Sequence, residues 1–429
     1  MEKGDAMDFL TMGEKVRKLR EQLDLNQEDL QTEKVSRGLI SMIETGKRDV
    51  SYATAIKLAE KFNQKADKLN IILNVDADYL MRSPNEDAEL YCLGQLKNDE
   101  ISQSKIDEIL QLSEEYDLIR IRAKIYFKMG QINEEKKNYE DACKNYEDAI
   151  KIYKTMGKDK ELGQIYLRMG ISKGKNLQHE VAIVYFNLSQ YYSFVYDDKK
   201  IQQSSLYNLA NAYFYSNKID LALETIEKYL TISDESDPFY NFGFNTKANC
   251  YELRGDYDRA IETYKDLICK ISDKVTPILG YVYNNLGLNY CHKDDFKESL
   301  KYFEMAEKFR SELDKVNLGV TLIEKSNVFL KQNLYTDAIK TIDEGLNYAI
   351  EYNDMEYLIK GYYTLADIYD KLSNWVNLEN VYMKLVELLK INNDKNNLKS
   401  IYDKMALMYL RQDKPSLCQE YLLLSNDLN

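Results

Sequence analysis

A pattern the size of a helical hairpin recurs along most of this 429-residue chain, and that recurrence restricts the fold more than any other feature. In residues 206–230, LYNLANAYFYSNKIDLALETIEKYL, the positions Leu206, Leu209, Ala210 and Tyr213 fall at i, i+3, i+4 and i+7. Leu221, Ala222, Ile226 and Tyr229 nearly do so again beyond a break at Ser216 to Lys218. Small residues at Ala210 and Ala222 let two antiparallel helices approach, and Tyr213 and Ile226 fill the space beside them. Aligning the chain on the small residue that opens each second helix gives Ala142, Ala182, Ala222, Ala260, Ser299, Ala338, Leu378 and Cys418, at steps of 38 to 40 residues. Twelve residues upstream lie Gly170, Ala210, Ala248, Gly287, Ser326, Ala366 and Ala406, and an aromatic residue follows three positions later from Tyr213 onward. A weaker ninth copy fits Gly94 and Ile106, and the Ala142 copy reads as carrying a seven-residue insert between Tyr126 and Tyr139.

This small, aromatic, aromatic, small spacing resembles the tetratricopeptide repeat, with a period about five residues longer. A single hairpin cannot bury its apolar face, so the resemblance implies a stack: an all-α, right-handed superhelical solenoid of about nine hairpins, its concave surface made by the first helices. The expected division is an N-terminal domain at 1–80, a linker at 81–85 and the repeat domain at 86–429. Pro84 in the run MRSPN breaks any continuing helix. The start, MEKGDAMDFLTMG, lacks a basic end followed by an apolar run, and no apolar run is long enough to span a bilayer, so the expected location is cytoplasmic with no membrane partner. Six scattered cysteines without a CxxC pair point to reduced thiols, and two histidines leave little material for a metal site.

Charge separates the two parts. Residues 1–70 hold 13 Lys/Arg and 13 Asp/Glu, so the remaining 45 Lys/Arg and 58 Asp/Glu carry the whole net charge of −13. Nucleic acid, if bound, must be bound by the N-terminal part. There, Thr11 and Glu14 form a capping box ahead of Val16, Leu19 and Leu23. Asn26 opens a short second helix through Leu30, Ser36 caps a third from Arg37 to Glu44, and Ser51 caps a fourth. Residues 65–80 read as a fifth helix and a short sixth capped by Asp76. Four short helices in fifty residues suggest a helix-turn-helix domain.

The runs VRKLREQLDLNQEDL and SRGLISMIETGKR resemble the Cro and phage-repressor class of DNA-binding domain over residues 11–62. The resemblance implies that the third helix enters the major groove, with Arg37, Gly38, Ser41 and Met42 toward base edges and Gln27, Lys47 and Arg48 on the phosphate backbone. It also implies an ion pair between Arg20 and Glu44. The chain departs from the class in a turn one residue shorter and in Gln31, which stands where a small residue is usual. The bland alternative for the three cations is a solvated face.

In the repeats, the positions three before and one after the small residue of each first helix are expected to face the groove, clear of the helix seams. These are Tyr207, Asn211, Asn245, Asn249, Asn284, Asn327, Tyr363 and Asp367, with Phe242 and Tyr281 as further aromatic walls. A ladder of carboxamides offers one acceptor and two donors per step, a match to any peptide backbone. The alternative is that the ladder only reflects an asparagine-rich composition. No catalytic constellation and no cofactor motif is present: the acid pairs Asp256 with Asp258 and Asp294 with Asp295 fall in hairpin turns, and His292 reads as a polar lining residue.

A Cro-type domain followed by long tetratricopeptide-like hairpins is similar to the RRNPP family of peptide-responsive regulators. The resemblance implies a non-enzymatic, cytoplasmic quorum-sensing regulator that binds double-stranded operator DNA, is switched by a short linear signalling peptide in the groove, and acts as a homodimer. Another class of reading is a repeat-mediated regulator that sequesters a sporulation response regulator or promotes its dephosphorylation. A third is a scaffold with a vestigial N-terminal domain.

Overall fold

The structure is a computed structural model that describes residues 9–33, 35–98, 100–271 and 277–428. The acidic start at residues 1–8 lies outside them. The described residues form α-helices and two short 3-10 turns, with no β-strand and a single isolated bridge between Thr32 and Val35. The chain divides into two compact units, Met1–Asn208 and Leu209–Asn429.

The first unit opens with α1 Met12–Gln22, α2 Arg37–Glu44, α3 Tyr52–Lys68 and α4 Ala77–Met81. The expected capping box is present, with the Thr11 amide donating to Glu14 at 2.8 Å, and Ser36, Ser51 and Asp76 cap α2, α3 and α4. Two expected helices are absent. Residues 27–30 close only a turn, with i to i+3 bonds such as Asp29 N–H to Asn26 C=O, because the Thr32–Val35 bridge takes over the chain before a second turn forms. There is no separate fifth helix either, since α3 runs on to Lys68. Val16, Leu19, Leu30, Ile40, Ile43, Leu58 and Phe62 form the core. Gly13 is where α1 crosses α2, and a Cβ there would lie 2.3 Å from the Ile43 carbonyl oxygen.

Hairpins follow without interruption. In the first unit they are α5 Pro84–Leu96 with α6 Gln103–Glu115, α7 Ile119–Glu135 with α8 Tyr139–Thr155, and α9 Leu162–Lys175 with α10 His179–Val195. The unit boundary falls within α11 Lys199–Tyr215, and α12 Ile219–Ile232 follows it. The second unit continues with α13 Tyr240–Leu253 and α14 Tyr257–Ile271, α15 Ile278–His292 and α16 Phe296–Leu313, and α17 Leu318–Lys331 and α18 Tyr335–Glu351. It closes with α19 Met355–Lys371 and α20 Trp375–Ile391, then α21 Lys395–Arg411 and α22 Pro415–Asn426.

One packing rule explains the small residues. In three copies a ring four positions after the alignment point lies over the glycine twelve residues upstream of that point: Tyr146 over Gly130, Phe186 over Gly170 and Phe303 over Gly287, where a Cβ would come within 2.3 to 2.8 Å. Gly130 therefore occupies the regular place in the Ala142 copy, and the expected seven-residue insert does not exist. Its absence of an aromatic residue three positions on, where Asn133 stands, had hidden the register. From the α7–α8 hairpin onward each hairpin turn places one residue in the left-handed region, among them Asn217, Gly255, Asp294, Asn333 and Asp413.

Pro84 does end α4's reach, but it also starts α5, behind a capping box of Ser83 and Glu86. Lys15 of α1, only 2% exposed, donates to the Tyr79 carbonyl at 3.0 Å and the Arg82 carbonyl at 2.7 Å and is ion-paired with Asp87 of α5. Phe9 packs on Tyr91 and edge-on against Tyr116. The helix-turn-helix part is thus pinned to the first hairpin by a buried charge and an aromatic cluster.

Candidate functional site

Two surfaces carry the residues singled out in the sequence. The first is built around α2. Arg20 of α1 donates to Glu44 of α2 from Nε at 2.6 Å and from Nη2 at 3.2 Å, and its Nη1 holds the Leu25 carbonyl at 3.0 Å. The Glu44 hydrogen bond raises the pKa of Arg20 further. This expected pair is present and fixes the orientation of α2. Gln27 spends its amide on the same carboxylate, Nε2 to Glu44 Oε2 at 2.8 Å, so it braces the turn from inside.

Arg37, Gly38 and Met42 are exposed and Ser41 is half-exposed, all on α2, while Lys47 and Arg48 are exposed on the turn that follows, where Gly46 takes a φ of 69°. The structure therefore brings six of the seven predicted residues together on α2 and the turn after it, five of them exposed. Arg37 is engaged with Glu28 at 3.0 Å, both side chains about two-thirds exposed. Such a pair is worth well under about 1 kcal/mol and yields readily to a phosphate or a guanine edge. A Cβ on Gly38 would meet nothing closer than Ser36 Oγ at 4.0 Å, so packing does not demand glycine there.

The second surface follows the first helices of the second unit, and here the placement differs from expectation. The asparagines do not stand clear of the seams. Asn211 Oδ1 accepts from Thr246 Oγ1 at 3.0 Å, joining α11 to α13. Asn249 Oδ1 accepts the hydroxyl of the fully buried Tyr264 and, at 3.3 Å, Asn285 Nδ2 from α15. Asn284 is 3% exposed and donates to Glu324 of α17 at 2.5 Å. Each first helix carries small residues against its neighbour, so an asparagine one turn away reaches across before it reaches outward. Asn245 and Asn327 are half-buried, and Asn245 Oδ1 has no partner among the described residues. Tyr363 lies under the Lys404 ammonium at 5.3 Å, and Asp367 is exposed at a cavity of about 220 Å³ with Lys404 and Arg411. Tyr207 is half-buried in α11. Phe242 and Tyr281 are exposed rings.

The seam also holds groups that sequence reasoning missed. Glu252 accepts from Asn289 Nδ2 at 2.8 Å, and Glu324 accepts from Tyr357 at 2.7 Å and Lys360 at 2.9 Å. Burial raises the pKa of Glu252 against that hydrogen bond, with the Glu324 carboxylate adding to the rise. A carboxylate within one turn of the small residue that marks the seam, four after Ala248 or two before Ser326, was the available signal. His292 stacks on Tyr257 with ring centroids 4.9 Å apart, and Asp295 caps α16. Among the described residues no group of acids, histidines and cysteines is arranged to hold a metal, and no helix is long and apolar enough to cross a membrane.

Residues 13–70 match a family of helix-turn-helix domains, and residues 123–156, 203–236 and 247–275 match tetratricopeptide repeats. A TPR repeat-containing protein of Methanocaldococcus jannaschii is 26% identical over 198 residues, which are 44% of this chain and 32% of that protein. The chain thus spans about a third of the length of this curated relative. Among solved structures, the apo form of RapI covers 81% of this chain and 97% of its own at 16% identity and a TM-score of 0.53. A signal transduction ATPase with a tetratricopeptide repeat sensor from Pyrococcus horikoshii covers 91% and 65%, at 16% identity and a TM-score of 0.52. The chain carries a helix-turn-helix domain followed by tetratricopeptide repeats, and its fold is similar to that of apo RapI.

Proposed function

We propose that the protein is a peptide-responsive transcriptional regulator that binds operator DNA through α2 and the turn after it, and that a short peptide bound along the first helices of the repeats switches that binding. The observation that carries the reading is the face of Arg37, Gly38, Ser41 and Met42 beside Lys47 and Arg48, held in orientation by the part-buried Arg20–Glu44 pair. The domain division at 1–80, 81–85 and 86–429 belongs to the same reading. Homodimerisation would supply two heads for two half-sites, whose separation the dimer geometry sets.

The switch has a physical basis in the seam. Adjacent first helices are joined by side-chain hydrogen bonds, Asn211 to Thr246, Asn249 to Asn285 and Asn284 to Glu324. A peptide backbone competes for the same donors and acceptors, so its binding favours whichever spacing of the helices leaves those groups free. It shifts the equilibrium only by that difference in affinity.

The test is selection of bound duplexes from a random pool by the full chain. Recovery of a common motif supports the reading, with Arg37→Ala weakening it by about 1 to 3 kcal/mol and Lys47→Ala lowering affinity across sequences and flattening the salt dependence. Recovery of no motif contradicts it.

A further inference from the structure

α10 departs from the other second helices in what it shows to solvent. Val181 to Tyr196 is a run of sixteen residues without Asp, Glu, Lys or Arg, in a chain that is 30% charged. Leu177, Val181, Val184, Tyr191, Phe194 and Val195 are exposed, Leu177 by 80% and Phe194 by 79%. The spacing of Val181, Val184, Tyr191 and Val195 puts them on one face of the helix.

The repeat provides its own control. One period earlier, in α8, the places of Val181, Val184, Tyr191 and Phe194 are taken by Asp141, Lys144, Lys151 and Lys154, and Lys144 and Lys151 form surface ion pairs with Asp141 and Asp148 at 2.8 Å. At the place of Val184, the later second helices α12, α14, α16 and α18 carry Glu224, Glu262, Lys301 and Lys340. A second helix of this fold therefore folds with charges at these positions, and α10 lacks them for another reason. Leu177 adds an independent sign. Its φ of 59° is left-handed, where the matching turns use residues such as Asn217, Asn333 and Asp413. A leucine gains nothing there from backbone preference or from burial.

We propose that this face of α10 is a self-association surface that joins two copies of the chain about a two-fold axis. A two-fold contact sets one patch against itself, and an apolar stripe free of charge is complementary to itself whereas a charged one is not. It also lets two chains of net charge −13 meet without bringing like charges into contact. The six side chains leave on the order of 650 Å² accessible, against roughly 800 Å² per partner in a standard interface, and Tyr and Phe are residues that interface cores favour. This surface gives the dimer of the proposed function a location, but it does not rest on DNA binding.

The experiment is sedimentation equilibrium of the full chain beside the double variant Val184→Glu, Phe194→Glu, with circular dichroism melts of both. Glutamate is a good helix former, so an exposed substitution leaves the fold unchanged. The expected result is a wild-type dimer whose self-association is weakened roughly a hundredfold or more in the variant, with superimposable melts. A wild type that stays monomeric at its highest soluble concentration overturns the proposal, as does a variant that dimerises as tightly as wild type. Flotation of a monomeric wild type with phosphatidylcholine vesicles would assign the face to a membrane surface and overturn it as well. Arg37→Ala should dimerise like wild type, and a wild type that dimerises but selects no common duplex motif sinks the regulator reading and leaves this surface standing.

Discussion

Asp87→Ala should loosen the helix-turn-helix part from the repeats more than Lys15→Met does. The Lys15 ammonium is 2% exposed and has two carbonyl acceptors and one carboxylate. Removing Asp87 leaves a buried cation with the carbonyls of Tyr79 and Arg82 and the Tyr79 ring 5.0 Å away. Losing one partner of a buried pair costs about 3 to 5 kcal/mol, and the two retained acceptors put this case near 3. Lys15→Met keeps the apolar stem and removes the charge. It leaves two carbonyls short of a donor, at about 1 to 2 kcal/mol, while Asp87 keeps Arg82 Nε at 2.7 Å. In the Lys15→Met background, Asp87→Ala should therefore cost much less than in wild type, a coupling of about 2 kcal/mol. Hydrogen exchange of the full chain, read at the amides of α1 and α5, measures each local opening free energy. Equal costs for Asp87→Ala in the two backgrounds would refute the reasoning, because they would mean that the pair contributes nothing the carbonyls do not.

Gly13→Ala should unfold or severely destabilise the helix-turn-helix part, through collision with the Ile43 carbonyl, whereas Gly38→Ala should leave its circular dichroism and melting unchanged; equal effects in a thermal melt would contradict the packing described. Asn249→Ala should lower the stability of the second unit by about 1 to 3 kcal/mol, since it removes the acceptor of the buried Tyr264 hydroxyl, and Tyr264→Phe should recover part of that loss in urea unfolding. Because burial raises the Glu252 pKa above its unfolded value, the folded state binds the extra proton, and the stability this gives is lost as pH rises from about 4.5 through the folded value. Glu252→Gln should flatten that dependence in unfolding curves measured across the window, and an unchanged slope would show that the carboxyl is not strained by burial.

The repeat was readable because its logic is local. Ala142, Ala182, Ala222 and their successors open second helices where the spacing said they would, and the turn five residues earlier takes the left-handed residue that a tight hairpin needs. Caps were readable for the same reason: Thr11, Ser36, Ser51 and Asp76 need only their own next turn. What the sequence hid depends on neighbours forty residues away. Whether Asn249 faces a ligand or a seam is decided by where the Tyr264 ring ends and by Asn285 on the next hairpin. Asn26 carried a helix-start signature, but the chain makes only one turn before the bridge between Thr32 and Val35. The apolar run of α10 was visible as letters, yet a buried helix and an exposed contact face read alike until burial is known.

The proposed switch requires that occupation of the repeats change what α2 binds. It is tested most directly by fluorescence anisotropy of the full chain on a duplex recovered by selection, titrated with and without a pooled library of short synthetic peptides. The pool should shift the DNA-binding curve, and the shift should shrink in Phe242→Ala with Tyr281→Ala, which removes two exposed rings of the first helices without touching the seam hydrogen bonds. A curve that the pool leaves unmoved while the pool still binds the repeats by calorimetry would contradict it.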